Sequence, residues 1–196
     1  MLNVRLLSFL RLSLLLGASC LVAAACSKSG SSGSAGAGGG STEGGCFDYT
    51  GFDGTTPTVT FAADVLPIFQ NSCGLSMSCH GANPPTVPSQ MFLGPALPAM
   101  ASSTDIAAIF AGTVSVKSVD DPDMDIIDPG SPEDSFLMYK VDTDPANTNG
   151  VTCSTLTCST STSTPCLSGM PLDGTQLSLT DRDTIRRWIA QGAKND

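Results

Sequence analysis

The chain has 196 residues, is 41% hydrophobic, and carries nine Lys and Arg against eighteen Asp and Glu, with a single histidine. That length suits one domain of ordinary size plus some unstructured sequence. An acidic balance without a basic run excludes a charge-driven nucleic-acid or anionic-membrane surface. One histidine, with no phosphate loop and no nucleophile–base arrangement, leaves little for acid–base chemistry, so an enzyme is not expected.

Residues 1–25 read as a secretory signal: Arg5 and Arg11 come without an acid, and a small, apolar run follows that is too short for a stable span. The run ends Leu21-Val22-Ala23-Ala24-Ala25-Cys26, similar to a bacterial lipoprotein cleavage box with Cys26 as the lipid-attachment residue. Cys20 is the poorer candidate, and the alternative is an ordinary signal cut after Ala25 with Cys26 left as a thiol. The chain from Cys26 onward has a formal charge of −11, seven Lys plus Arg against eighteen acids. The expected location is therefore the bacterial cell envelope, as an outer-membrane or periplasm-facing lipoprotein held by its lipid. Six cysteines remain: Cys46, Cys73, Cys79, Cys153, Cys158 and Cys166. In an exported chain they imply an oxidising compartment.

The tether is expected over residues 26–55, Gly/Ser/Ala-rich as far as residue 45, with Cys46-Phe47-Asp48-Tyr49 as an N-terminal flap. The folded domain then covers residues 56–196. Thr60 is placed to cap a first helix with Phe61, Val65, Ile68 and Phe69 on one stripe, which Pro67 should kink or delay. That helix leads to Cys73 and, after five residues, to Cys79-His80-Gly81. A cysteine followed at once by histidine is how haem is attached covalently: the thiolate adds to a vinyl group and the adjacent imidazole ligates the iron. The cysteine count fits two accounts equally. Either Cys73 and Cys79 hold haem and the other four pair, or all six form disulfides. A proline soon after such a histidine resembles the proximal side of small cytochromes, and that resemblance makes Pro84 and Pro85 candidates to line this face.

A short helix is expected over residues 104–112 with Gly112 at its exit, then an extended stretch from Val114 to Val119. Residues 120–129 read as a solvated acidic loop whose spacing matches no calcium loop. Ser131-Pro132-Glu133-Asp134 reads as a capping box opening a helix through Phe136, Leu137, Met138 and Tyr139. An insertion at about residues 142–168 is rich in Thr and Ser, and its cysteines fit no common zinc spacing. Thr180 and Asp183 read as the capping box of a terminal helix with Ile185, Trp188 and Ile189 buried and Gly192 ending it.

Taken together, Val65-Leu66-Pro67-Ile68-Phe69 with Cys79-His80-Gly81, Asp128-Pro129-Gly130-Ser131-Pro132 with Ser135-Phe136-Leu137, Gly169-Met170-Pro171, and Trp188-Ile189-Ala190-Gln191-Gly192-Ala193 resemble a c-type cytochrome domain. The resemblance covers residues 58–193 and departs from the family at the cysteine pair, which usually encloses two residues. It implies an all-α, small cytochrome c-like fold with long loops, one haem c, His80 and Met170 as axial iron ligands, and Cys73 and Cys79 as the attachment residues. It also implies that Phe61 or Phe69 packs on Trp188. Among the other methionines, Met77 lies on the proximal loop, Met138 suits a helix core, and Met91, Met100 and Met124 lack the following proline. The function implied is electron transfer with a redox partner protein. The alternative is a haem-free, disulfide-stabilised lipoprotein that keeps the scaffold as a binding or structural module.

Overall fold

A computed structural model describes residues 47–86, 90–145, 166, 168–172 and 175–196. The signal, Cys26, Cys46, Cys153, Cys158 and most of the insertion lie outside the described residues. Four α-helices and no strand are found among the described residues: α1 (Leu66–Ser72), α2 (Ser103–Thr113), α3 (Phe136–Asp142) and α4 (Leu179–Ala190). No helix among these residues is long and apolar enough to cross a membrane. The expected all-α class is what the described part has.

The opening helix begins as a π-helical turn, Phe61–Val65, and becomes α1 at Leu66. Proline lacks an N–H and is tolerated in a first turn, so Pro67 sits where α1 starts rather than kinking its interior. The side chain of Asp64 accepts from the Thr60 N–H at 2.8 Å and its hydroxyl at 3.0 Å. Its N–H groups gain partners from the far end of the chain, Phe61 N–H donating to Asp196 Oδ1 at 3.0 Å.

Three boundaries differ from the sequence reading. The α2 helix starts one residue earlier than expected and runs through Gly112 to Thr113, because Ser102 and Asp105 form a full capping box. Ser131 does not cap: Pro132–Asp134 is a 3₁₀ turn, and α3 begins only at Phe136. The buried Ser135 hydroxyl donates to Ser131 O instead, at 3.0 Å. At the other end, Ser178 rather than Thr180 caps α4, accepting from Asp181 N–H at 3.1 Å. The acidic loop is likewise not fully solvated. Asp120 and Asp121 are buried, since isolated bridges pair Val114 with Ile127 and Lys117 with Asp125 and fold the loop back on the extended stretch.

The core is aromatic where the opening segment meets α4. Phe61 and Phe69 both pack on Trp188, with ring centroids 5.3 and 6.4 Å away, and Phe110 of α2 adds an edge contact at 5.9 Å. Such pairs contribute roughly 0.5–1.5 kcal/mol each beyond their burial. Ile185 and Ile189 complete the stripe, both fully buried. The helix ends as expected, with Gly192 at φ 96° just past it.

The flap packs, and folded structure is present from Phe47. Arg186 lies 3.5 Å from the Phe47 ring centroid, while Arg187 donates to the carbonyls of Asp53 and Thr56. Beneath it, Arg182 and Arg186 converge on Asp142 at 3.1 and 2.8 Å, with all three side chains buried. This cluster joins α3 to α4.

Candidate functional site

The chain leaving α1 does not run straight on. Cys73 N–H and Gly74 N–H both donate to Phe69 O, at 2.8 and 2.7 Å, closing the helix end. His80 N–H then donates to Cys73 O at 3.0 Å, and Gly81 N–H to Ser76 O at 3.0 Å. Residues 74–78 therefore loop out, and the backbones of Cys73 and His80 are hydrogen-bonded neighbours despite the long spacing. Gly81 is required by this closure: a Cβ there would lie 2.7 Å from Gly74 O and 2.8 Å from Ser76 O.

Cys73, Cys79, His80 and Met170 all line one cleft of about 290 Å³. Its walls come from the 73–81 loop, from Met91 and Leu93, from Phe136, Leu137, Lys140 and Val141 of α3, and from Pro171 and Leu172 beside Met170. Successive turns of α3 thus give one wall and the Met170 segment another. The sulfurs of Cys79 and Cys166 are engaged in disulfides.

His80 Nδ1 lies 2.8 Å from Met91 O. A carbonyl only accepts, so this contact makes Nδ1 the protonated nitrogen and leaves the lone pair on Nε2. Burial pushes the His80 pKa below its usual value; the Met91 carbonyl opposes the shift and the Lys140 charge adds to it. The neutral imidazole with a basic Nε2 is the form a metal binds.

The lining is polar at Ser72, Ser78, Thr86 and Gln90, and again at Asp120 and Lys140. Asp120 Oδ1 is buried with no hydrogen-bond partner among the described residues, and Lys140 is 4% exposed. Burial pushes the Lys140 amine down to about 8, against the attraction of Asp120. Its Nζ donates to Cys166 O at 3.1 Å.

The sequence singled out four of the lining residues and missed others. Pro84 and Pro85 are exposed and do not line the cleft; the carbonyl that orients His80 belongs to Met91, eleven residues downstream. Met77 and Met100 are 68% and 84% exposed, Met138 is in the core, and Met91 shares the cleft with Met170. Lys140 and Asp120 had no local signature; only the spacing of Phe136, Leu137 and Val141 along one helix hinted that α3 forms a wall. No group of three or more His, Cys, Asp or Glu suited to a metal ion occurs among the described residues, although His/Met ligation would not form such a group.

No protein-family model matches the chain. Neither a curated protein nor a solved structure matches it.

Proposed function

We propose that the chain is a haem-binding electron-transfer protein of cytochrome c-like fold, with one haem c held in the cleft by His80 and Met170. The observation that carries this reading is the shared cleft, in which a neutral imidazole with its Nδ1 engaged by a backbone carbonyl stands with a methionine thioether and two cysteines. The donor set fits. His80 and Met170 would hold the iron through an imidazole nitrogen and a soft thioether, and the walls of Leu93, Phe136, Leu137, Val141, Pro171 and Leu172 would suit an apolar macrocycle. When bound, the haem supplies a one-electron couple, shifted towards the ferrous state by the thioether.

The residues of this chain have separate tasks. Met91 O orients His80, and burial keeps its imidazole neutral. Apolar side chains of α3 exclude water, which limits the charge reorganisation that accompanies an electron. The acidic surface suits a basic redox partner met through a small, charge-steered interface. A lipid on Cys26 holds the domain at the cell envelope.

A second reading is favoured by one observation. A sulfur in a disulfide cannot also form a thioether, and Cys79 is disulfide-bonded. With that bond kept, haem is attached through Cys73 alone or not at all; in the second case the protein is a haem-free, cystine-stapled binding or structural module. The absorption spectrum of protein made in cells with haem-attachment machinery separates the readings. Soret and alpha bands that survive acid–acetone extraction are expected, and a colourless, iron-free product overturns the first reading. Intact mass then reports the attachment, since covalent haem adds a porphyrin with iron and each disulfide removes two hydrogens.

A further inference from the structure

The last turn of a helix leaves backbone carbonyls without partners inside the helix. In α3 these are met largely by the segment that carries Met170. Lys140 O accepts from Met170 N–H at 2.7 Å, and Asp142 O accepts from Gln176 Nε2 at 2.6 Å. The Lys140 side chain returns along the same segment, its Nζ donating to Cys166 O at 3.1 Å. Gly169 lies so close to the end of the helix that a Cβ there would come within 2.4 Å of Thr143 O. Residues on both sides of Met170 are thus tied to one helical turn, and Lys140 makes two of the ties.

From this, and resting on the haem reading above, we infer that Lys140 is a positioning residue for the distal ligand: it clamps Cys166 and Met170 to the end of α3 and so fixes where the Met170 thioether stands. Lys140 is buried beside the cleft without being needed to ligate iron. Its amine would be expensive to hide for packing alone, since a buried cation is disfavoured unless it is hydrogen-bonded or paired. The bond to Cys166 O and the nearby Asp120 carboxylate offset that cost. The close approach at Gly169 is the second half of the clamp, because no other residue allows the two backbones to meet so tightly.

The test uses the haem-loaded full chain as wild type, K140M, K140R and G169A. Each is read by the far-red thioether-to-iron charge-transfer band, the reduction potential, total haem and helical content. In K140M the equilibrium between bound and detached Met170 shifts towards detachment by roughly five-fold, the weight of one buried hydrogen bond. The band weakens and the potential falls while haem and helicity are retained. K140R, which keeps a donor, restores part of the band. G169A moves both readouts in the same direction as K140M, and it decides the matter if K140M does not fold. Wild-type band and potential in K140M and G169A alike would overturn the inference while leaving the haem reading intact. A lower melting temperature with an unchanged band would show Lys140 to be structural only. A colourless wild type removes the haem reading, and the inference with it.

Discussion

His80 is where local chemistry is most tightly constrained. Its backbone N–H is tied to Cys73 O, its carbonyl accepts from Leu93 N–H at 2.9 Å, and its ring is tied to Met91 O. The residue is therefore held by two segments, the turn at Cys73 and residues 91–93, and the second of these orients the ring. Gly81 is the residue on which this arrangement turns, since two backbone oxygens stand where a Cβ would be. Backbone cannot move aside as a flexible side chain can. The G81A variant is expected to lose roughly 1–3 kcal/mol of stability, as overpacked sites do, and to incorporate less haem; equilibrium denaturation and the Soret absorbance check both. Tyr49, which does not line the cleft, gives a pH prediction. Burial raises its phenol from 10.0 to about 12, against the lowering influence of Arg186. Between those values the unfolded chain loses the proton and the native chain keeps it, so stability is fully present below pH 10 and falls as pH rises to about 12. In Y49F this part of the alkaline fall is expected to vanish, as measured by urea midpoints at several pH values.

Among elements, the contact between α3 and α4 is the most exacting. Asp142 accepts from Arg182 and twice from Arg186, and its own burial leaves no water to replace either. Removing the carboxylate takes from buried Arg182 the acid it pairs with and leaves buried Arg186 with only the longer 3.6 Å contact to Asp183. D142A is expected to cost about 3–5 kcal/mol, measured by denaturant unfolding, with the flap loosened because Arg186 also carries the Phe47 ring. The elements themselves were largely legible in the sequence. Trp188 with Ile185 and Ile189 repeats at helical spacing, and Phe61 with Val65 and Phe69 does so on the facing segment, so apolar periodicity alone found both halves of the core. The starts of α3 and α4 were not legible. Ser131, Ser135, Ser178 and Thr180 are all competent caps by composition, and tertiary contacts chose among them: burial of the Ser135 hydroxyl beside Asp128 drew it into the turn, and Ser178 took the N-terminus of α4.

For the whole molecule, the site is assembled from segments separated by ninety residues of sequence between His80 and Met170. The sequence offered Cys73, Cys79, His80 and Met170 because each sits in a short pattern with a chemical meaning. It could not offer Met91, Lys140 or Asp120: a backbone carbonyl has no residue signature, and a lone lysine or aspartate reads as surface until the fold buries it. The long cysteine spacing weakened the resemblance on paper, yet the loop closes so that Cys73 and His80 are bonded neighbours. The acidic charge, −9 for the full chain, belongs to this scale too, as does the position of the cleft beside exposed Leu172.

Near-infrared magnetic circular dichroism of the oxidised holoprotein tests the central claim most directly, because it reports the two axial ligands of a low-spin ferric haem. A signature of one imidazole and one thioether, lost in both H80A and M170A, is the result expected. A signature of two nitrogen ligands or of an open position, or no haem signal at all, would contradict it.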